Sequence, residues 1–208
     1  MPSRNNPLII GICGGSGSGK TYLLELLTTQ LEQEVCLLSQ DHYYFPLELQ
    51  QKDERNQVNF DLPSAIDQQR FIRDLDAISL GKEIQLTEYT FNNPARAPRK
   101  LRLKPASIII AEGLFIFHSA AVRKRLDIKV FVEVDEATAL ERRIKRDLVE
   151  RAYTEEMIRY QWKHHVKPAY EQYLLPYRDS ADLIIQNPPN RAPDLTKLME
   201  TVILIQSK

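Results

Sequence analysis

The stretch "LIIGICGGSGSGKTYLLELL", Leu8 to Leu27, decides the fold. Five of the chain's seven glycines fall between Gly11 and Gly19, after a strand-like apolar run and before a segment of helical period. Gly14, Gly19, Lys20 and Thr21 fit the pattern G-x-x-x-x-G-K-[ST]. Glycines let the backbone curl until several N–H groups face inward, and the following helix adds the positive end of its dipole. Lys20 then brings a full charge to the β and γ phosphates, and the Thr21 hydroxyl can sit on Mg²⁺. The loop residues Gly14, Gly15, Ser16, Gly17, Ser18, Gly19, Lys20 and Thr21 are therefore the expected ATP-binding set. A triphosphate site does not fix an activity, because kinases, GTPases and motor ATPases share it. The D-x-x-G and N-K-x-D segments of a GTPase and the L-S-G-G-Q segment of an ABC ATPase are all missing from the sequence.

Outward from this stretch, short apolar runs alternate with segments of helical period, the pattern of a parallel sheet covered by helices. The runs are Leu8 to Cys13, Val35 to Ser39, Ser107 to Ala111, Lys129 to Val134 and Asp182 to Gln186, which predicts an α/β fold with five strands. Helices are expected over Lys20 to Glu32, Ser64 to Leu80, Glu136 to Ala152 and Thr154 to Leu174. Pro63 and Ser64 read as the start signal of the second and Gly81 as its stop. Gln40 to Asp61 reads as a polar insertion, with Tyr43, Tyr44 and Phe45 near its start. Lys82 to Lys104 reads as a β-hairpin flap around "NNPARAPR". The whole of residues 1–208 is expected to form one domain, with the flap near 82–104 and a lid near 142–160.

Lys plus Arg equals Asp plus Glu at 28 each, so no global basic field draws the protein to nucleic acid or a membrane surface. Cys13 and Cys36 flank β-like runs, as buried thiols in a reducing compartment do. "MPSRNNP" carries no signal core and no apolar run has the length of a membrane span, so a cytoplasmic protein is expected.

Ligands in open parallel sheets bind beyond the carboxyl ends of the strands. Asp41 follows "VCLLS" and Glu112 follows "SIIIA", which aims both carboxylates at the phosphate loop. An acid there can take the proton of an acceptor hydroxyl or help to hold Mg²⁺. Asp41 is assigned the base role, with a share in the metal, and Glu112 the metal side. Arg143 and Arg146 share a helix face that can stabilise transferring phosphate, with Arg142 and Arg151 nearby. By charge pattern alone, with Glu141, Asp147 and Glu150 interleaved, the same helix reads as a solvated surface. His164 and His165 read as ordinary histidines, and Tyr160, Trp162, Tyr170 and Tyr173 as packing.

Taken in order, "GGSGSGKT", "LLSQDHYY", "NFDLPSAID", "EYTF", "IIIAEGLFIF", "RRIKRDLVER" and "VKPAYEQYLLP" resemble the uridine-cytidine kinase family of P-loop nucleoside kinases, related to phosphoribulokinase. The resemblance runs from about Ile9 to about Ile185 and implies the three-layer P-loop NTPase fold with a helical lid. It also implies ATP- and Mg²⁺-dependent phosphorylation of the 5′-hydroxyl of uridine or cytidine, a step of pyrimidine salvage, by a homo-oligomer, commonly a tetramer. It assigns the base to Asp41, the ribose hydroxyls to Asp61 and the nucleoside to Tyr44 and Tyr89. The lid arginines become Arg143, on ATP, Arg146, catalytic, and Arg151, on substrate; Gln161 becomes a nucleoside-side glutamine. The departures are at Thr90 and Pro94 in the flap and at Ala152 and Tyr153 after the lid helix, where substrate is chosen. They keep open a kinase for another small hydroxyl substrate, such as another nucleoside, a sugar phosphate or a pantothenate-like alcohol. A nucleotide-binding sensor without kinase activity is the reading from a different class.

Overall fold

A computed structural model describes residues 6–31, 33–91, 93, 96–151 and 153–207. Along the chain run β1 (Leu8–Gly14), α1 (Lys20–Gln30), β2 (Val35–Ser39), α2 (Gln68–Ser79), β3 (Ile84–Thr87), β4 (Lys100–Leu103) and β5 (Ile108–Gly113). Then come α3 (Ala120–Arg123), β6 (Ile128–Glu133), α4 (Glu136–Glu150), α5 (Glu155–Gln161), α6 (Lys167–Ala169), β7 (Leu183–Gln186) and α7 (Thr196–Gln206). Five strands form a parallel sheet in the order β2-β5-β1-β6-β7. β1 is central, with Ile10 opposite Ile110 on one side and Ile128 on the other.

That placement explains the unbroken apolar run: both faces of β1 are covered, so side chains pointing either way are buried. Ile10 and Ile12 join Leu23, Leu27, Leu198 and Val202 under α1 and α7. Ile9 and Cys13 face the opposite layer, with Phe71 and Leu75 of α2 and with Phe115. Each fully buried Ile contributes roughly 1.5–3 kcal/mol of burial. The result is the three-layer P-loop NTPase architecture, with a small antiparallel hairpin of β3 and β4 and a helical lid beginning at α4. Among the described residues no helix is long and apolar enough to cross a membrane. Both cysteines are buried free thiols, and burial pushes Cys13 up to about 12, so it is inert.

Three expectations need correction. The second helix does not begin at Pro63 and Ser64, which belong to a separate 3-10 turn, Pro63–Ala65. Its cap is Asp67, whose carboxylate accepts from the Arg70 amide at 2.9 Å. The last long helix is not uniform. α5 passes into a π-helical turn, Trp162–Val166, then α6, then a second π turn, Tyr170–Leu174, and a 3-10 segment, Leu175–Ser180. Pro168, between the two π turns, has no N–H to donate and its ring crowds the preceding turn, which widens the helix on both sides. Gln40 to Asp61 is also more than a polar loop: two 3-10 turns fold it so that Tyr43, Tyr44 and Phe60 are buried. α3 and α7 had no counterpart among the expected helices. The expected α1 end at Glu32 lies outside the described residues.

Because Asp67 and not Ser64 satisfies the first free amides of α2, Asp67→Ala should cost about 0.5–2 kcal/mol in urea unfolding. Ser64→Ala should stay within about 0.5 kcal/mol, as surface changes away from caps do.

Candidate active site

The phosphate loop leaves the carboxyl end of β1 and closes into α1. Gly17 and Gly19 have φ of 76° and 89°, left-handed values that a side chain rarely adopts. A Cβ at Gly17 would collide with the Ala139 carbonyl of α4, and one at Gly19 with the Asn187 amide. The Asn187 amide donates to the Ser18 carbonyl at 2.9 Å, and its backbone N–H to the Glu133 carbonyl at 2.8 Å. Asn187 thus fixes the loop from the end of β7, a role with no sequence signal beyond its position after a strand. The Lys20 ammonium donates to the Gly14 and Gly15 carbonyls at 2.9 and 3.3 Å. At the helix end of the loop, Arg142 Nη1 lies 3.4 Å from the Cβ position of Gly19, a buried donor without a hydrogen-bond partner among the described residues.

Asp41 and Glu112 lie at the carboxyl ends of the paired strands β2 and β5, where Ser39 is in register with Glu112. Ser39 links them: its hydroxyl donates to Glu112 Oε1 in a short contact and accepts from the Asp41 amide at 3.3 Å. Burial and the neighbouring Asp41 charge push Glu112 up to about 7, against the opposing pull of Lys20 and Ser39. Two carboxylates and a lysine therefore converge at the mouth of the phosphate loop. Glu112 is not the solvent-facing strand-end acid that its position permits; it is the last but one residue of a fully buried strand. Gln40, fully buried beside Asp41, accepts from the Phe115 amide at 2.8 Å and holds the two strand ends together.

On the other side of the loop stands α4. Arg143, only 4% exposed, donates to Ser16 Oγ at 2.9 Å and to Gln161 Oε1 at 3.1 Å. Its guanidinium also lies 4.0 Å from Asp61 Oδ1 and 3.2 Å from Asp147 Oδ2. Asp147, at 0% exposure, receives Arg146 at 2.7 Å and Arg151 at 3.4 Å as well. The solvated-surface reading of this helix holds only for pairs such as Glu141 with Lys145, 2.7 Å apart and exposed. Asp147 is instead a buried anion that gathers three arginines, one helical turn from Arg143 and Arg151 on either side. Its i+4 spacing to both arginines is the signal that charge alternation alone conceals.

The insertion and the flap meet in an aromatic cluster. Tyr44, Phe60, Tyr89 and Phe91 pack edge to face or tilted, with centroids 5.1–6.4 Å apart. Burial and the charges of Asp41 and Asp61 push the Tyr44 phenol well up. Tyr43 points away, edge-on to Phe71 at 5.1 Å. The flap reaches the lid: Arg151 lies 4.0 Å over the Phe91 ring, and the Asn93 amide donates to the Glu150 carbonyl. Tyr153 is half-buried, and its backbone N–H donates to the Asp147 carbonyl at 3.4 Å. Pro94 and Ala152, two of the departures, lie outside the described residues. His165 is a buried histidine against Asp53, and no cluster of three His, Cys, Asp or Glu suited to a metal occurs among the described residues.

Removing one member of a buried charge cluster leaves the others unpaired. Asp147→Ala should therefore destabilise the protein by roughly 3–5 kcal/mol in urea unfolding, while Glu141→Ala should move it by less than about 1 kcal/mol.

Comparison with known proteins agrees with this fold. The Phosphoribulokinase / Uridine kinase family profile matches residues 9–193. The chain is 35% identical over 181 residues to uridine-cytidine kinase A of Dictyostelium discoideum, covering 86% of this chain and 36% of that protein. It is 34% identical over 204 residues to uridine-cytidine kinase B of the same organism, covering 98% of this chain and 83% of that one. Phosphoribulokinase from Rhodobacter spheroides has the same fold, with a TM-score of 0.63 at 14% identity over 88% of this chain and 71% of that one. The chain belongs to the phosphoribulokinase / uridine kinase family and is a P-loop kinase for a small hydroxyl-bearing substrate.

Proposed function

We propose that the protein transfers the γ-phosphoryl group of ATP to the 5′-hydroxyl of a pyrimidine ribonucleoside, uridine or cytidine, as a step of pyrimidine salvage. The observation that carries this reading is that acids from separate parts of the chain meet at the phosphate loop. Ser39 joins Asp41 and Glu112 at the ends of paired strands, and Arg143, bonded to Ser16 of the loop, lies 4.0 Å from Asp61 and is bonded to Gln161. The relatives' names support the substrate class.

Phosphoryl transfer leaves the protein little covalent chemistry, so positioning and charge do the catalysis. The loop N–H groups and Lys20 hold the triphosphate, with Arg142 added to the expected set at its helix end. Asp61 orients the ribose through its hydroxyls, with Gln161 and Arg151 beside it, and Tyr44 and Tyr89 flank the base. Asp41 takes the acceptor proton as the hydroxyl oxygen bonds to the γ-phosphorus and the bond to the β–γ bridging oxygen breaks, releasing ADP. Arg143 and Arg146 stabilise charge spread over the transferring group.

The oxygen set of the Thr21 hydroxyl, Asp41 and Glu112 suits Mg²⁺, which binds through one or two carboxylates together with substrate phosphates. A Glu112 pushed up to about 7 by burial and by the Asp41 charge also fits, since a dication at that place favours both ionised carboxylates. When bound, Mg²⁺ neutralises phosphate charge.

The test is Mg·ATP-dependent ADP release with uridine, cytidine, other ribonucleosides, sugar phosphates and no acceptor. Uridine or cytidine should stimulate turnover. Asp41→Asn should keep ATP affinity nearly intact and lower kcat by roughly 10²- to 10⁴-fold. Stimulation only by a non-pyrimidine acceptor would transfer the assignment to that compound. ATP binding with no stimulation by any acceptor would favour a nucleotide sensor.

A further inference from the structure

Asp53 lies at the tip of the acceptor insertion, far from the phosphate loop in sequence, yet it is bound to the lid. Its Oδ1 accepts the Arg55 and Gln57 amides at 2.8 and 2.9 Å, which shapes the turn. Its Oδ2 accepts the Tyr160 hydroxyl at 2.9 Å and contacts His165 Nε2 at 2.8 Å. A carboxylate only accepts, so Nε2 carries the proton. Arg55 covers the Tyr160 ring at 4.5 Å, and His164 stacks on the same ring at 4.5 Å. Burial raises the Asp53 carboxyl, but the hydrogen bonds from Gln57, His165, Tyr160 and Arg55 outweigh it and hold it at about 2. His165 is 3% exposed, so its contact with Asp53 is shielded from water.

The contact has a consequence for the acceptor. The turn is closed by a bridge between Lys52 and Val58 and by the Asn59 amide donating to the Gln51 carbonyl at 2.8 Å. Phe60 and Asp61 follow at once. On the lid, Tyr160 and His165 flank Gln161, and the π turn that begins at Trp162 brings both to the same carboxylate. Gln161 reaches Arg143, and Arg143 reaches Asp61. The contacts make a closed ring from Asp53 through the lid to Arg143, Asp61 and back along the insertion.

We propose that Asp53, Tyr160 and His165 form a clasp that positions Asp61 against Gln161, so that the lid and the acceptor insertion bind substrate as one body. These are positioning residues for the acceptor and have no part in holding ATP. The inference rests on the proposed acceptor site and names what holds it in shape.

The test uses the full chain with uridine as acceptor, comparing wild type with Tyr160→Phe, His165→Leu and His165→Gln. Losing one hydrogen bond to a carboxylate should raise the KM for uridine about tenfold in His165→Leu and by a smaller factor in Tyr160→Phe, with the KM for ATP within about twofold. His165→Gln, which keeps an amide donor, should recover most of the loss. Hydrogen exchange of the unliganded proteins gives a readout independent of the acceptor. Residues 51–61 and 155–166 should exchange faster together in His165→Leu, and β1 and α1 should not change. If wild type leaves uridine unphosphorylated, the pyrimidine reading falls and exchange alone decides the clasp. An equal rise of both KM values, or exchange confined to one of the two segments, would overturn it. Should His165→Leu fail to fold, Tyr160→Phe, which removes one hydroxyl, decides by the same criteria.

Discussion

The burial of Arg143 is the constraint from which the site follows. A guanidinium carries five donors in a rigid fork and keeps its charge at any physiological pH. At 4% exposure it has almost no water to satisfy it, so protein groups must. They come from four parts of the chain: Ser16 of the phosphate loop and Gln161 of α5 accept hydrogen bonds, and Asp147 of its own helix and Asp61 of the insertion supply opposite charge at 3.2 and 4.0 Å. A charge that costs several kcal/mol to bury unpaired makes the joint presence of these partners nearly obligatory. Packing alone would tolerate a lid at many angles. The fork of Arg143 selects one, in which the phosphate loop, through Ser16, and the insertion, through Asp61, meet the same side chain.

Asp147 extends that constraint along α4. One carboxylate that receives Arg143, Arg146 and Arg151 fixes the rotamers of three long cations that would otherwise sweep large volumes. The cations repel one another, and burial together with the nearby Arg146 pulls the Arg151 guanidinium below its ordinary range. A positive cluster of this kind is stable only around a central anion, and it is suited to accept more negative charge, as a triphosphate and its transition state supply.

Much of the fold was legible because it is local. Five apolar runs and the glycine loop between Leu8 and Thr21 are continuous stretches, and burial on both faces of a parallel sheet leaves its mark in each one. The carboxylates at the strand ends were legible for the same reason: a residue just past a parallel strand has only one end of the sheet to occupy. The rest depended on contacts that no single stretch records. Ser64 after Pro63 has the composition of a helix start, yet Asp67 has the geometry. Pro168 is visible in the sequence, but whether it ends a helix or widens it is decided by what packs around it. Asp147 looks like one of several alternating charges until its burial is known, and Asn187 has no motif at all.

The two halves of the site also differ in how freely they can change. The phosphate loop is one stretch, Gly14 to Thr21, made largely of backbone groups, and a side chain at Gly17 or Gly19 would strike Ala139 or Asn187. Little variation is compatible with it. The proposed acceptor side is assembled from the insertion, the flap and the exit of the lid helix, which meet through side chains. Tyr153 follows the exit of α4, where its backbone N–H donates to the Asp147 carbonyl. Its side chain takes no part in the contacts of Arg143 with Ser16 and Asp147, so a change of side chain there leaves those contacts in place. Substrate choice can therefore drift in this architecture without disturbing the machinery that holds the phosphoryl donor, because polar side chains, and not the curled backbone, set the discrimination between acceptors.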